Sequence, residues 1–218
     1  MEIWDLLQQA APIMLKGTAY TLLFALSSMV GGLVLGFVLA VARIVPWKLI
    51  QWPAAIYVSL MRGTPLLVQI FVVYYGLPSI GLEFSPLTAG VLTLSLNASA
   101  YLSESLRGAI IGVGKGQWNA SYSLGMTYLQ TLTNVVVPQA IRIAVPSMSN
   151  SLISLIKDTS LVSVITVTEL MLSTKEIIAV TFRPLPLYIA AALVYWLLSI
   201  CFETLQHRLE QRLGRAHR

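Results

Sequence analysis

Residues 17–42 and 184–202 carry no charged side chain. A helix needs only about 20 mainly apolar residues to cross roughly 30 Å of hydrocarbon. Inside lipid each backbone N–H and C=O must be satisfied within the segment, so runs of this kind fold as helices. The rest of the chain agrees, since 56% of its 218 residues are apolar and 11% are charged, against about 25% charge in a soluble domain. Three further segments are apolar enough to join the first and last. The expected fold class is an all-α polytopic membrane protein with five transmembrane helices, forming one domain over residues 1–218. Its spans are expected at about 17–42, 52–76, 86–111, 134–156 and 185–205, and its polar cytoplasmic loop at about 112–133.

Five spans leave the termini on opposite faces, and an excess of Lys and Arg marks the cytoplasmic one. Arg43, Lys48, Arg107, Lys115 and the tail residues Arg208, Arg212, Arg215 and Arg218 fall on one side. Lys16, Lys157, Lys175 and Arg183 fall on the other, with Glu2, Asp5, Glu83, Asp158, Glu169 and Glu176. The N-terminus is therefore expected outside and the C-terminus in the cytoplasm. The basic balance sets topology and points to no nucleic-acid partner. With Glu2 and Asp5 where a basic region would open a signal peptide, no cleavage is expected. A lone Cys201 forms neither an internal disulfide nor a thiolate metal cluster, and is read as a lipid-facing or packing residue.

Polar residues inside the apolar segments are the candidates for function, because they are costly in lipid. In the first span Gly17, Gly31, Gly32, Gly36, Ser27 and Ser28 are read as a packing surface that lets helices approach closely. In the second, Arg62-Gly63-Thr64-Pro65 predicts a break near Thr64, since proline disfavours helical geometry at the residue before it. Arg62 there is either a snorkelling cation or a wall of a polar path. In the third, Asn97, Tyr101, Glu104 and Gly108 recur at steps of four and three and share one helix face. Glu104 either pairs with Arg107, three residues on, or lines a cavity. The fourth carries two prolines, several serines and Asn150 and ends in Lys157-Asp158, which are either boundary charges or complements to a zwitterion. Residues 162–183 are expected to form an exterior or re-entrant amphipathic connection.

Within the loop, a short helix is expected over about 117–124, closed by Gly125 in the left-handed conformation at a packed loop end. Trp118, Tyr122 and Leu124 on its surface would suit a helix-in-groove contact. The nearest approach to a phosphate loop, Gly112-Val113-Gly114-Lys115-Gly116, lacks the glycine and the Ser or Thr that such a loop requires. There is no nucleophile elbow, and His207 and His217 lie in the basic tail, so neither catalysis nor a metal site is expected.

Asn119, Ala120, Ser121, Gly125, Val135, Val137 and Pro138 fall at the places of a known loop pattern. It reads Glu-Ala-Ala, three residues, Gly, nine residues, Ile, one residue, Leu-Pro, and belongs to permease subunits of bacterial ATP-binding-cassette (ABC) importers. Asn119 stands for the acid and Ser121 for an alanine. The stretch from Arg62 to Gln69, Tyr74-Tyr75-Gly76-Leu77-Pro78 and residues 149–161 resemble the polar amino-acid branch of these permeases, the histidine/glutamine/cystine group, with some resemblance to its cystine members. The resemblance implies the MetI-like fold of type I importers and a location in the bacterial inner membrane. It also implies a second permease subunit, the same or different, a dimer of ATPase subunits and an extracytoplasmic solute-binding protein. This chain would bind no cofactor, ATP and Mg residing on the ATPase. A substrate pathway is expected at Arg62, Thr64, Gln69, Asn97, Tyr101, Glu104, Asn150, Ser154, Lys157 and Asp158. ATPase coupling is expected at Gln117, Trp118, Asn119, Ala120, Ser121, Leu124 and Gly125. A second reading, an ion-coupled transporter or channel using Glu104 or Asp158, is weakened by the lack of a visible internal repeat.

Overall fold

A computed structural model describes residues 3–215; Glu2, His217 and Arg218 lie outside them. The first helix, α1, runs over Ile3–Ala42, about 60 Å at 1.5 Å per residue. It starts well before residue 17, because Met14, Ala10 and Leu6 continue the buried stripe one, two and three turns towards the N-terminus. Along that stripe Gly32 and Gly36 let α1 lie directly on α4 (Pro86–Gly112). A Cβ at Gly36 would sit 3.0 Å from the Leu102 Cβ and from the Ser99 carbonyl oxygen. Leu23, Val30, Val34 and Val38 point outward and stay exposed, as a lipid-facing surface should.

The second segment folds over instead of crossing as one kinked rod. Helix α2 (Lys48–Gly63) and the piece Leu66–Ile80 differ in direction by 108°. Thr64, forced out of helical geometry by Pro65, is extended at φ −117°, ψ 147°. Helix α3 (Leu66–Phe71) then widens through Val72–Gly76 and tightens over Leu77–Ile80 to stop at Gly81, φ +84°. Ser85 accepts a hydrogen bond from the Thr88 amide and opens α4, with Pro86 in its first turn.

After α4 come α5 (Lys115–Ser123) and α6 (Tyr128–Thr131). A reciprocal cap holds α6: the Gln130 amide donates to Thr127 and the Thr127 amide to the Gln130 side chain. The chain continues through a widened turn, Leu132–Val136, into α7 (Val137–Asp158), then a tight turn Thr159–Ile165, α8 (Leu170–Thr181) and α9 (Pro184–Arg215).

Segment 162–183, expected as an exterior or re-entrant connection, folds back into the bundle: α8 turns 49° from the piece that precedes it. Leu170, Ser173, Thr174 and Ile177 are buried, and Glu169 is fully buried and no topogenic surface charge. Its carboxylate caps α8 by accepting from the Leu172 amide at 2.8 Å. It also accepts from the Tyr195 hydroxyl at 2.7 Å and from Thr21 at 3.4 Å, joining α1, α8 and α9.

Among the described residues two helices, α1 and Pro184–Gln211 of α9, are long and apolar enough to cross a membrane alone, and up to four spans result if each bent pair counts as one. Helix α4, at 27 residues, is long enough as well, and its lower apolarity comes from the polar face described below. Three apolar clusters stack along the bundle. One joins the start of α1 to α8 and the start of α9, one lies midway, and one joins the end of α1 to the end of α4, Trp118 and the start of α7. The chain start and α5 therefore lie at opposite ends.

Candidate functional site

Between the end of α2, the middle of α4 and the C-terminal half of α7 lies a cavity of about 810 Å³. Arg62 and Thr64 line it from the break after α2, and Asn97, Tyr101 and Glu104 from α4. Asn150, Ser154 and Asp158 face them from α7, extended by Ser147 and Ser151. Steps of three and four put these α7 residues on one face. Ser105 of α4 and Ser147 of α7, both lining the cavity, share a hydrogen bond of 2.6 Å across it.

Two residues expected in this path stand elsewhere. Lys157 is exposed and is not among the lining residues, because it sits about 100° around the helix from Asp158. Gln69 is 8% exposed and turned behind the wall. Its side-chain NH₂ donates to the Met61 carbonyl at 2.9 Å, to the Thr64 carbonyl at 3.2 Å and to the Thr64 hydroxyl at 2.9 Å. The two carbonyls lie at the break, and the i+4 position that would serve Met61 is Pro65, which has no N–H to donate. Asn97 completes the plug by donating to the Gln69 oxygen at 3.0 Å and to Met61 at 3.2 Å.

Glu104 is more than half of a local pair. Arg107 does bind it, but so does Arg43, just past the end of α1, and Arg62 stands 4.0 Å away. The Arg62 guanidinium also lies 5.5 Å from the centre of the Tyr101 ring, a cation–π distance. Sequence reading missed Arg43. The available signal was a lone arginine placed directly after an uncharged span with no acid of its own nearby. It also missed the Glu169 junction, whose partners Thr21 and Tyr195 are far apart in the chain.

At the α5 end, Gly125 adopts φ +77° as expected, but no atom lies within 4 Å of where its Cβ would be. The loop end is open, and the glycine is required by backbone geometry alone. Gln117, Asn119 and Ala120 are exposed, and Leu124 is 81% exposed. Trp118 and Ser121, expected at the contact surface, turn inward instead. Trp118 stacks on Tyr128 at 5.9 Å between centres and packs on the adjoining apolar cluster, while Ser121 is buried and donates to the Gln117 carbonyl at 2.8 Å. Burial raises the Tyr128 phenol above its ordinary pKa, so this root stays neutral. Gln139 of α7 donates to the Gln117 side chain at 3.3 Å, tying α5 to the helix that walls the cavity.

A second depression of about 720 Å³ lies across α2, between Arg43, Gln51, Trp52 and Arg107. Trp52, Ala55, Ile56 and Leu60 make much of its wall, which suits contact with lipid or another helix better than a polar ligand. Among the described residues no group of three His, Cys, Asp or Glu is placed to hold a metal ion.

The family model for the binding-protein-dependent transport system inner membrane component matches residues 32–215. The L-cystine transport system permease protein TcyB of Bacillus subtilis (strain 168) is 43% identical over 214 residues, covering 97% of this chain and 92% of that protein. The glutamine transport system permease protein GlnP of Escherichia coli (strain K12) is 35% identical, covering 96% and 97%. Among solved structures, an amino acid ABC transporter with histidines superposes with a TM-score of 0.91 at 33% identity, over 97% of this chain and 99% of its own. The inward-facing MetNI methionine ABC transporter matches at 0.78 and 16% identity, over 92% and 96%, a likeness of fold alone. By family match, by identity along nearly its whole length and by fold, this chain belongs to the inner membrane components of binding-protein-dependent transport systems.

Proposed function

We propose that this chain is the transmembrane permease subunit of an ATP-driven importer, moving a polar amino acid into the cell, with L-cystine a leading candidate. The observation that carries the reading is the continuity of α7. One end is tied through Gln139 to the exposed helix α5, and the other supplies Asn150, Ser154 and Asp158 to the cavity. Movement imposed on α5 therefore reaches the cavity wall through one helix.

In this account α5 lies in the cytoplasm and seats Tyr122 and Leu124 in a groove of a separate ATPase subunit. Arg43, Lys48, Arg107 and Lys115 cluster at that end, which supports a cytoplasmic C-terminus and an exterior N-terminus. An extracytoplasmic binding protein delivers substrate, and a second permease subunit completes the path. ATP binding draws the two α5 helices together and opens the pair outward; hydrolysis restores the inward state. The chain forms no covalent intermediate and acts by binding the substrate differently in two conformations. The relatives named for cystine and glutamine transport support an amino-acid cargo.

Affinity purification of this subunit from its native membrane in mild detergent, with identification of the co-purifying chains, tests the reading. Recovery of an ATPase subunit is expected. Reproducible recovery without one would favour a self-contained, ion-coupled transporter.

A further inference from the structure

The charges around the cavity are matched unequally, and the mismatch bears on what can be held there. On the α1, α2 and α4 side three guanidinium groups, Arg43, Arg62 and Arg107, meet a single carboxylate, Glu104. Arg43 and Arg107 are in direct contact with it and half or more withdrawn from solvent, at 17% and 29% side-chain exposure. Arg62 stands back at 4.0 Å, is 44% exposed and is, among the described residues, the one cation lining the cavity. On the opposite wall Asp158 has no cation within 4.0 Å among the described residues.

We propose that the cavity selects amino acids whose side chain carries no net charge, because Glu104 is consumed by arginines and only Arg62 and Asp158 remain for the substrate. This rests on the amino-acid importer reading. The α-carboxylate takes Arg62 and the α-ammonium takes Asp158, two charge-assisted contacts from opposite walls. What is left for the side chain is neutral: Tyr101, Asn150, Ser151 and Ser154. A lysine or arginine side chain finds no free carboxylate and meets a positive surplus. An acidic side chain finds no second free cation. An amide, or the zwitterionic and hence neutral second half of cystine, meets hydroxyl and amide groups that can pair with it. Arg43 and Arg107 thus act as positioning residues that withdraw Glu104 from recognition.

The test is equilibrium dialysis of the purified permease–ATPase complex, without binding protein, against radiolabelled L-glutamine, L-cystine, L-lysine, L-arginine and L-glutamate. At least one neutral amino acid is expected to bind ten times more tightly than any charged one. A charged amino acid binding as tightly as the best neutral one would overturn the inference and leave the importer reading standing. Binding of none would overturn the amino-acid reading itself. In the Arg43→Gln/Arg107→Gln variant, confirmed as assembled by co-purification, Glu104 is released and L-lysine binding should rise about tenfold. Adding Glu104→Gln should abolish that gain.

Discussion

Asn97 of α4 donates to the side-chain oxygen of Gln69 in α3 at 3.0 Å, while Gln69 itself plugs the carbonyls exposed by the break at Thr64. The corner between α2 and α3 is therefore held from α4, the helix that also forms one cavity wall. Leaving a buried polar group unpaired costs about 1–3 kcal/mol. Gln69→Leu strips donors from three acceptors and should lower stability by about that amount or more. A double-mutant cycle between Gln69→Ala and Asn97→Ala, read by thermal unfolding in detergent, should show coupling above about 0.5 kcal/mol. Strict additivity would dissolve the plug.

Gly125 stands at φ +77° with open space where a side chain would go. Left-handed geometry costs a non-glycine residue roughly 1–2 kcal/mol, and asparagine tolerates it best. Gly125→Asp and Gly125→Val should insert and assemble normally but uncouple ATP hydrolysis from uptake, with Gly125→Asn milder than either. Normal uptake by the valine variant would remove α5 from the coupling path.

A contrast between glycines tests the α1–α4 seam. At Gly36 a Cβ meets backbone and side chain at 3.0 Å, whereas at Gly63 and Gly108 it meets nothing within 4 Å. Overpacking costs typically about 1–3 kcal/mol, so Gly36→Val should be destabilised on that scale while Gly108→Ala changes little. Similar melting temperatures for the two would refute so close a helix contact.

Glu169 accepts from Tyr195, Thr21 and the Leu172 amide while fully buried. Glu169→Gln keeps one acceptor oxygen, for the Leu172 amide, and its NH₂ can donate to the Tyr195 and Thr21 hydroxyls, so most assembly should be retained. Glu169→Leu orphans donors on three helices and should cost at least about 2 kcal/mol, visible as lost yield of folded protein. Equal yields would make the junction incidental.

Asp158→Asn removes the carboxylate of the α7 wall without changing its shape, so substrate affinity should fall at least tenfold while co-purification with partner chains is unchanged. Unaltered affinity would return Asp158 to the role of a boundary charge.

What could be read from the chain before folding was local. Pro65 fixes the geometry of Thr64, Gly125 closes α5, and steps of three and four align Asn97, Tyr101 and Glu104, all within a few residues. What escaped depends on helices meeting. Arg43 reaches Glu104 across 61 positions, and Glu169 turns from a surface charge into a junction only because Thr21 and Tyr195 arrive beside it. Gln69 is polar and adjacent to the path, yet which way it faces is decided by the 108° fold-over, which no helical phase extended from α2 would give. Lys157 and Trp118 show the same limit, since residue type alone does not say which side of a helix will be covered.

The most direct measurement is uptake of radiolabelled L-cystine and L-glutamine into proteoliposomes holding this permease with its ATPase, binding protein outside and ATP within. The account predicts accumulation of at least one of them that requires internal ATP and is abolished by vanadate. Accumulation that persists without the ATPase, driven by an ion gradient alone, would contradict it.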